Sequence, residues 1–172
     1  MTAIDAAMTP YVRETLDLLG ARDPIAVMAE TPGWIATALA GLSDAALRTP
    51  EGENKWSLTQ VLAHLADCEI AWGWRARQLL TEDRPPLQGF NETAWMARFD
   101  CANADPHQAL GVFTALRQWN LRVWRSATPA DYARVGMHGE LGPESFDRAL
   151  RMASGHDLRH RRQMERILKV VG

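Results

Sequence analysis

From Tyr11 to Val170 one device recurs along the chain: a side chain able to cap a helix, followed at once by a residue suited to a first helical turn. Asp23-Pro24, Thr31-Pro32, Asp105-Pro106 and Thr128-Pro129 each set an oxygen before a proline, which is tolerated at the first helical position because no N–H is needed there. In "KWSLTQV", Ser57 and Gln60 have capping-box spacing, and Trp56 is placed to staple onto Val61. Between these points apolar residues return at three and four spacing, and no segment alternates as a half-buried strand would. The pattern predicts helices over about Tyr11 to Leu19, a short turn from Pro24, and a longer piece from Pro32 to about Leu42. It continues with Ser57 to about Thr81, a short helix at Glu92 to Phe99, Asp105 to about Ser126, a turn after Thr128, and a last helix from Pro143 to Val170. "GMHGELGP" reads as a loop. Four main helices, each with one apolar side, must bury those sides against one another, so the expected fold is all-α, a four-helix bundle with short extra helices.

A chain of 172 residues fits one domain, taken here as residues 1–172. A net charge of -2 offers no long-range attraction to a phosphate backbone, so nucleic acid is not an expected partner. The local run Arg159, Arg161, Arg162 reads as a solvated helix face. No membrane partner is expected either: there is no signal-like N-terminus and no apolar run of spanning length, and the expected location is cytoplasmic. Two cysteines far apart, Cys68 and Cys101, fit reduced thiols rather than a disulfide framework.

The last helix carries the chemistry. Its buried stripe is predicted to be Phe146, Ala149, Leu150, Ala153, Met164, Ile167, Leu168 and Val171, and His156, Asp157 and His160 fall inside it. Unpaired polar groups in a core cost roughly 1–3 kcal/mol each, so these three require partners. Histidines at i and i+4 project from one face and can share a divalent ion if a third ligand approaches from another helix. His64, on the flank of the stripe Leu58, Val61, Leu62, Leu65, Trp72, Ala76 and Leu79, is the natural third ligand. Cys68 competes for that role, being four residues from His64 and a good zinc ligand as thiolate. Glu69 lies within the same stripe and needs a partner if it is buried and ionised; at the edge of the stripe it would reach solvent instead. His107 reads as surface.

The segments "KWSLTQVLAHLADCE", "FTALRQWNLRVW" and "HDLRHRRQ" resemble, in order from about Pro24 to Leu168, the signatures of DinB-like (YfiT-like) proteins. That resemblance implies a four-helix bundle with a divalent metal held by three histidines, which fall here on His64, His156 and His160. It also implies use of the metal with a low-molecular-weight thiol, as in thiol S-transferases or thiol-dependent isomerases, and a homodimer; the family's central arginine falls on Arg117, mid-helix in "FTALRQW", which makes it the candidate partner for Glu69. His138 matches a loop histidine of the family and is expected in a loop, as readily near a partner subunit as anywhere.

Three neutral imidazoles would leave a position on the ion open, which suits catalysis; a structural site would need a fourth protein ligand from Cys68, Asp157 or Glu69. The expected cofactor is a divalent ion, zinc or nickel foremost, since imidazoles accept several metals. The expected activity is metal-dependent thiol S-transfer or a related hydrolysis, in a pocket with apolar walls where His64 meets the His156 and His160 face. The alternative is a non-enzymatic, metal-stabilised binding module of a stress response.

Overall fold

The computed structural model describes residues 8–171. Seven α-helices dominate it: α1 (Pro10–Leu19), α2 (Pro24–Leu39), α3 (Asp44–Arg48), α4 (Leu58–Thr81), α5 (Glu92–Arg98), α6 (Pro106–Arg125) and α7 (Phe146–Val171). The long helices α2, α4, α6 and α7 form the bundle, with α4 lying along both α6 and α7, α2 along the same two, and α1 against α7. No helix among the described residues is long and apolar enough to cross a membrane.

The caps act as their chemistry requires. Asp23 accepts from the backbone N–H of Ile25, and Asp105 from those of His107 and Gln108. The capping box at α4 is complete, with Ser57 N–H donating to Gln60 Oε1 at 2.9 Å and Gln60 N–H to Ser57 Oγ at 3.4 Å.

Three sequence expectations are corrected. Thr31-Pro32 does not open a helix; Pro32 lies inside α2, which runs unbroken from Pro24. Thr31 Oγ1 donates back to Val27 O at 2.8 Å, and the carbonyl of Met28, which Pro32 cannot serve, accepts instead from Arg117 Nη1 on α6 at 2.9 Å. The second correction concerns Pro143, which starts no helix. It lies in β3 (Gly142–Ser145), antiparallel to β2 (Val135–His138), and α7 begins at Phe146. β1 (Pro86–Leu87) joins the edge in parallel, so the expected loop is in part a small sheet. Third, the five-residue α3, capped by Ser43, went unpredicted.

Two large blocks make up most of the apolar core among the described residues, beside two smaller clusters around Leu19 and Met96. One gathers Ile35, Leu58, Leu62, Phe113, Met164 and Ile167; the other gathers Met28, Leu79, Leu121, Trp124, Phe146 and Leu150. Between the two blocks run Cys68 and Glu69 on α4, Arg117 and Asn120 on α6, and His156, Asp157 and His160 on α7, all buried, with His64 on α4 set among the residues of the first block. The site is this polar layer, clamped between two hydrophobic plugs.

Candidate metal centre

Half of the layer is an ionic network. Arg117 Nη2 donates to Glu69 Oε1 at 2.8 Å and to Asp157 Oδ1 at 2.9 Å, while Nη1 serves Asp157 Oδ2 and the Met28 carbonyl. Arg117 is 2% exposed and both carboxylates 1%. Burial alone would lower the guanidinium pKa, but Asp157 and Glu69 outweigh it and hold it up. Asn120 Nδ2 completes the carboxylate's shell by donating to Glu69 Oε2 and to Glu69 O. Its approach requires Gly73, where any Cβ would overlap the Asn120 amide. The expected Glu69–Arg117 pair is therefore present, and Asp157 is spent on Arg117 rather than facing an ion.

The other half is the imidazole cluster. His64 Nε2 lies 3.2 Å from His156 Nε2, and His160 Nε2 lies 3.1 Å from the same atom. Two ligands of one tetrahedral ion at about 2.0–2.1 Å would stand roughly 3.3 Å apart, so these separations fit a shared ion. Exposures are 2%, 6% and 8% for His64, His156 and His160. Burial pushes His64 down to about 3, helped by His160, and His160 down to about 4, against the opposing hydrogen bond to Gln163. His156 is lowered well below the usual imidazole range by burial and by its two neighbours. All three are therefore neutral at pH 7, the state in which imidazole binds metal. His160 Nδ1 stands 2.8 Å from Gln163 Oε1; with the proton on Nδ1, Nε2 keeps its lone pair for an ion.

Cys68 packs against the side of the His64 ring, its Sγ also 3.8 Å from Nδ1. Its Sγ is 3.4 Å from His64 Nε2 and 3.9 Å from His156 Nε2, and His64, Cys68 and His156 form a set of donors all within 4.8 Å of one another. His160 is outside that compact set and touches it through His156. Burial holds the Cys68 thiol well above its ordinary pKa, with Glu92 and Glu69 adding to the effect.

A cleft of about 590 Å³ opens onto His156 and His160, lined also by Tyr11, Trp56, Phe90, Asn91, Glu92, Glu140 and Arg159. The expected apolar walls are only partly present: aromatic rings alternate with two carboxylates and a guanidinium. Trp56 lies nearly parallel to His160 with ring centroids 6.3 Å apart, and Glu92 Oε2 is 3.9 Å from His64 Nε2. Tyr11, the Phe90–Glu92 segment and Glu140 come from three separate parts of the chain whose convergence no local sequence signal announces. Of the other histidines, His107 is exposed as expected. His138 is buried on β2, not in a loop, and its Nδ1 accepts from the N–H groups of Glu140 and Leu141.

A family model described as the DinB superfamily matches residues 30–164. A Geobacillus thermodenitrificans protein named "Putative metal-dependent hydrolase" is 32% identical over 111 residues, which is 64% of this chain and 62% of that protein. A Geobacillus kaustophilus protein with the same description is 31% identical over 121 residues, 68% of each chain. "Putative metal-dependent hydrolase YfiT" of Bacillus subtilis is 30% identical over 114 residues, 66% of this chain and 64% of that one. The matched stretch thus spans slightly less than two thirds of the first and last of these relatives. A solved structure of the Bacillus subtilis protein, described as "a probable metal-dependent hydrolase with an unusual four-helix bundle topology", superposes with a TM-score of 0.79 at 26% identity, covering 86% of this chain and 85% of that chain.

Proposed function

The chain belongs to the DinB superfamily, and we propose that it is a metal-dependent enzyme of the hydrolytic kind that its relatives' names indicate, with His64, His156 and His160 as ligands of one divalent ion, zinc or nickel foremost. The observation that carries this reading is the meeting of three buried, neutral imidazoles, with His64 Nε2 and His160 Nε2 each at a ligand separation from His156 Nε2 and with His156 and His160 opening onto a cleft. When bound, such an ion supplies Lewis acidity and lowers the pKa of a coordinated water or thiol toward neutrality. The protein's own groups do the rest. Gln163 fixes the His160 ring, the Arg117 network holds α4 and α7 in place from α6, and Trp56 and Tyr11 line the cleft. Glu92, exposed at the cleft and 3.9 Å from His64 Nε2, is placed to accept a proton from a group activated there.

Thiol transfer is the second reading, favoured by Arg159. This side chain lines both the cleft and a neighbouring groove of about 1140 Å³ that carries Arg22, Arg162 and Arg166 together with Glu14 and Asp17; Arg159 is paired with Glu14 and Arg166 with Glu51, which leaves Arg22 and Arg162 to meet the carboxylates of a low-molecular-weight thiol. The test is metal analysis of protein purified without an affinity tag, followed by turnover assays on ester, amide and thiol-acceptor panels. Apo-protein and His160→Ala serve as controls. Metal-dependent hydrolysis without thiol supports the first reading, and turnover only with glutathione, bacillithiol or mycothiol supports the second. A stoichiometric ion with no turnover on any panel would replace both by the structural-module reading.

A further inference from the structure

The β2–β3 hairpin carries Glu140, part of the cleft wall, yet no apolar side chain of the hairpin is buried. Its buried residues are Gly136, His138 and Glu144. Gly136 stands opposite Glu144 in the ladder and His138 opposite Gly142, so the face turned to the bundle consists of two glycines and two polar side chains. None of the four belongs to an apolar cluster among the described residues. From this we infer that the hairpin is a flap: its tip, with Glu140, lifts from the bundle about a root at Arg134 and Phe146 and uncovers the cleft over His156 and His160. The inference stands on the hairpin's own contacts and does not depend on the proposed ion.

The polar groups under the hairpin do not fasten it. Glu144 is 0% exposed and neither carboxylate oxygen has a hydrogen-bond partner among the described residues; Arg148 on α7 is 6% exposed, and its Nε, Nη1 and Nη2 have none either. Burial raises the Glu144 pKa, and Arg75 and Arg148 oppose that rise without cancelling it. Charged groups buried without partners are costly, and lifting the hairpin returns them to water. His138 is engaged within its own turn, where Nδ1 accepts from the N–H groups of Glu140 and Leu141. Arg75 donates through Nε and Nη2 to the Gln88 carbonyl at 3.1 and 2.7 Å, which pins the segment leading to Phe90 rather than the hairpin. The root, by contrast, is held: Arg134 donates to the carbonyls of Leu79 and Glu82 at the end of α4, and Phe146 N–H donates to Arg134 O. Leu87 lies against Gly136, where any Cβ would overlap it. Beyond the root, the lateral hold that opening must release is the two-residue pairing with β1, Pro86 with Met137 and Leu87 with His138. An element with few buried apolar contacts opens at low free energy while the core stays folded.

The experiment is hydrogen exchange with mass spectrometry on the metal-free full-length protein, comparing peptides over residues 135–145 with those of α4 and α7. The ladder amides of the hairpin should exchange about 100-fold faster than the core amides of α4 and α7, by an opening of their own. Glu144→Leu combined with Arg148→Leu gives the buried face an apolar anchor, and should slow hairpin exchange about 10-fold relative to α4 and α7. Modification of His156 and His160 by diethyl pyrocarbonate, read by peptide mass spectrometry, should slow in the same proportion. Hairpin amides that open only together with the bundle overturn the inference. So does hairpin exchange that is unchanged in the double variant. Imidazole modification that keeps its wild-type rate while the hairpin is slowed overturns it too, because the hairpin would then not govern the cleft. The wild-type exchange pattern decides whether the hairpin opens alone even if the double variant does not fold.

Discussion

Arg117→Met should be among the most damaging substitutions in the bundle. It removes the charge while roughly keeping the volume, and strands three acceptors at once: the Glu69 and Asp157 carboxylates and the Met28 carbonyl. Breaking a buried ion pair from one side costs about 3–5 kcal/mol, because the remaining charge has neither water nor partner. Here the two carboxylates are each 1% exposed, which places the loss at the upper end. Orphaning the Met28 carbonyl adds about 1–3 kcal/mol, less than additively because the same side chain is removed. A loss of about 5 kcal/mol is comparable with the whole stability of an ordinary domain, about 5–15 kcal/mol. Urea unfolding followed by far-ultraviolet circular dichroism measures it, with Arg117→Lys expected to fall between wild type and Met because an ammonium cannot fork to two carboxylates. The triple change Arg117→Met, Glu69→Gln, Asp157→Asn should recover part of the loss by removing the stranded charges. A loss below about 1 kcal/mol in Arg117→Met, or no recovery in the triple variant, would refute the account of a desolvated network.

The metal-free protein should lose stability as pH falls below about 6.5. His64 and His160 titrate near 3 and 4 in the folded chain, so between those values and the unfolded 6.5 only the unfolded state gains protons. Each contributes stability that is complete above the unfolded pKa and about 1.4 kcal/mol smaller at pH 5.5, roughly 3 kcal/mol for the two; His64→Gln combined with His160→Gln should flatten that slope in thermal melts, and an unchanged slope would contradict the assignment. Gly155→Ala should destabilise by about 1–3 kcal/mol, since its Cβ would run into the backbone carbonyl of Thr15 where α1 crosses α7; a neutral result in urea would mean that α1 gives way freely. Chelation should lower Tm while leaving helical circular dichroism intact, because metal held only by the folded state stabilises by mass action; a chelator without effect on Tm would argue against a bound ion.

Much of the fold was legible because the caps are local. The starts of α4 and α6 follow from Ser57 and Asp105 and the residues beside them, and no distant contact displaces them. Pro32 was misread because the rule that proline opens a helix assumes that the freed carbonyl has no other donor; Arg117, 89 residues from Met28, supplies one. The strands of the β2–β3 hairpin are four residues each, too short for alternation to register. In the site, helical spacing alone brings His156 and His160 to one face, and the need of a buried carboxylate for a cation pairs Glu69 with Arg117. The closeness of Cys68 to His156, and the charges along the cleft, depend on how α4, α5 and α7 are brought together. No window of the sequence contains that information.

The proline inside α2 also bears on how the bundle holds together as a unit. An ordinary helix satisfies its interior backbone before it meets its neighbours, whereas α2 has a main-chain acceptor that is filled only when α6 is docked and Arg117 is in place. Secondary and tertiary structure are therefore coupled at this point, and the helix cannot be both complete and detached. Amide hydrogen exchange should register this as a shared opening: protection of α2 around Met28 should collapse together with that of α6 around Arg117, at one common free energy rather than as independent fraying.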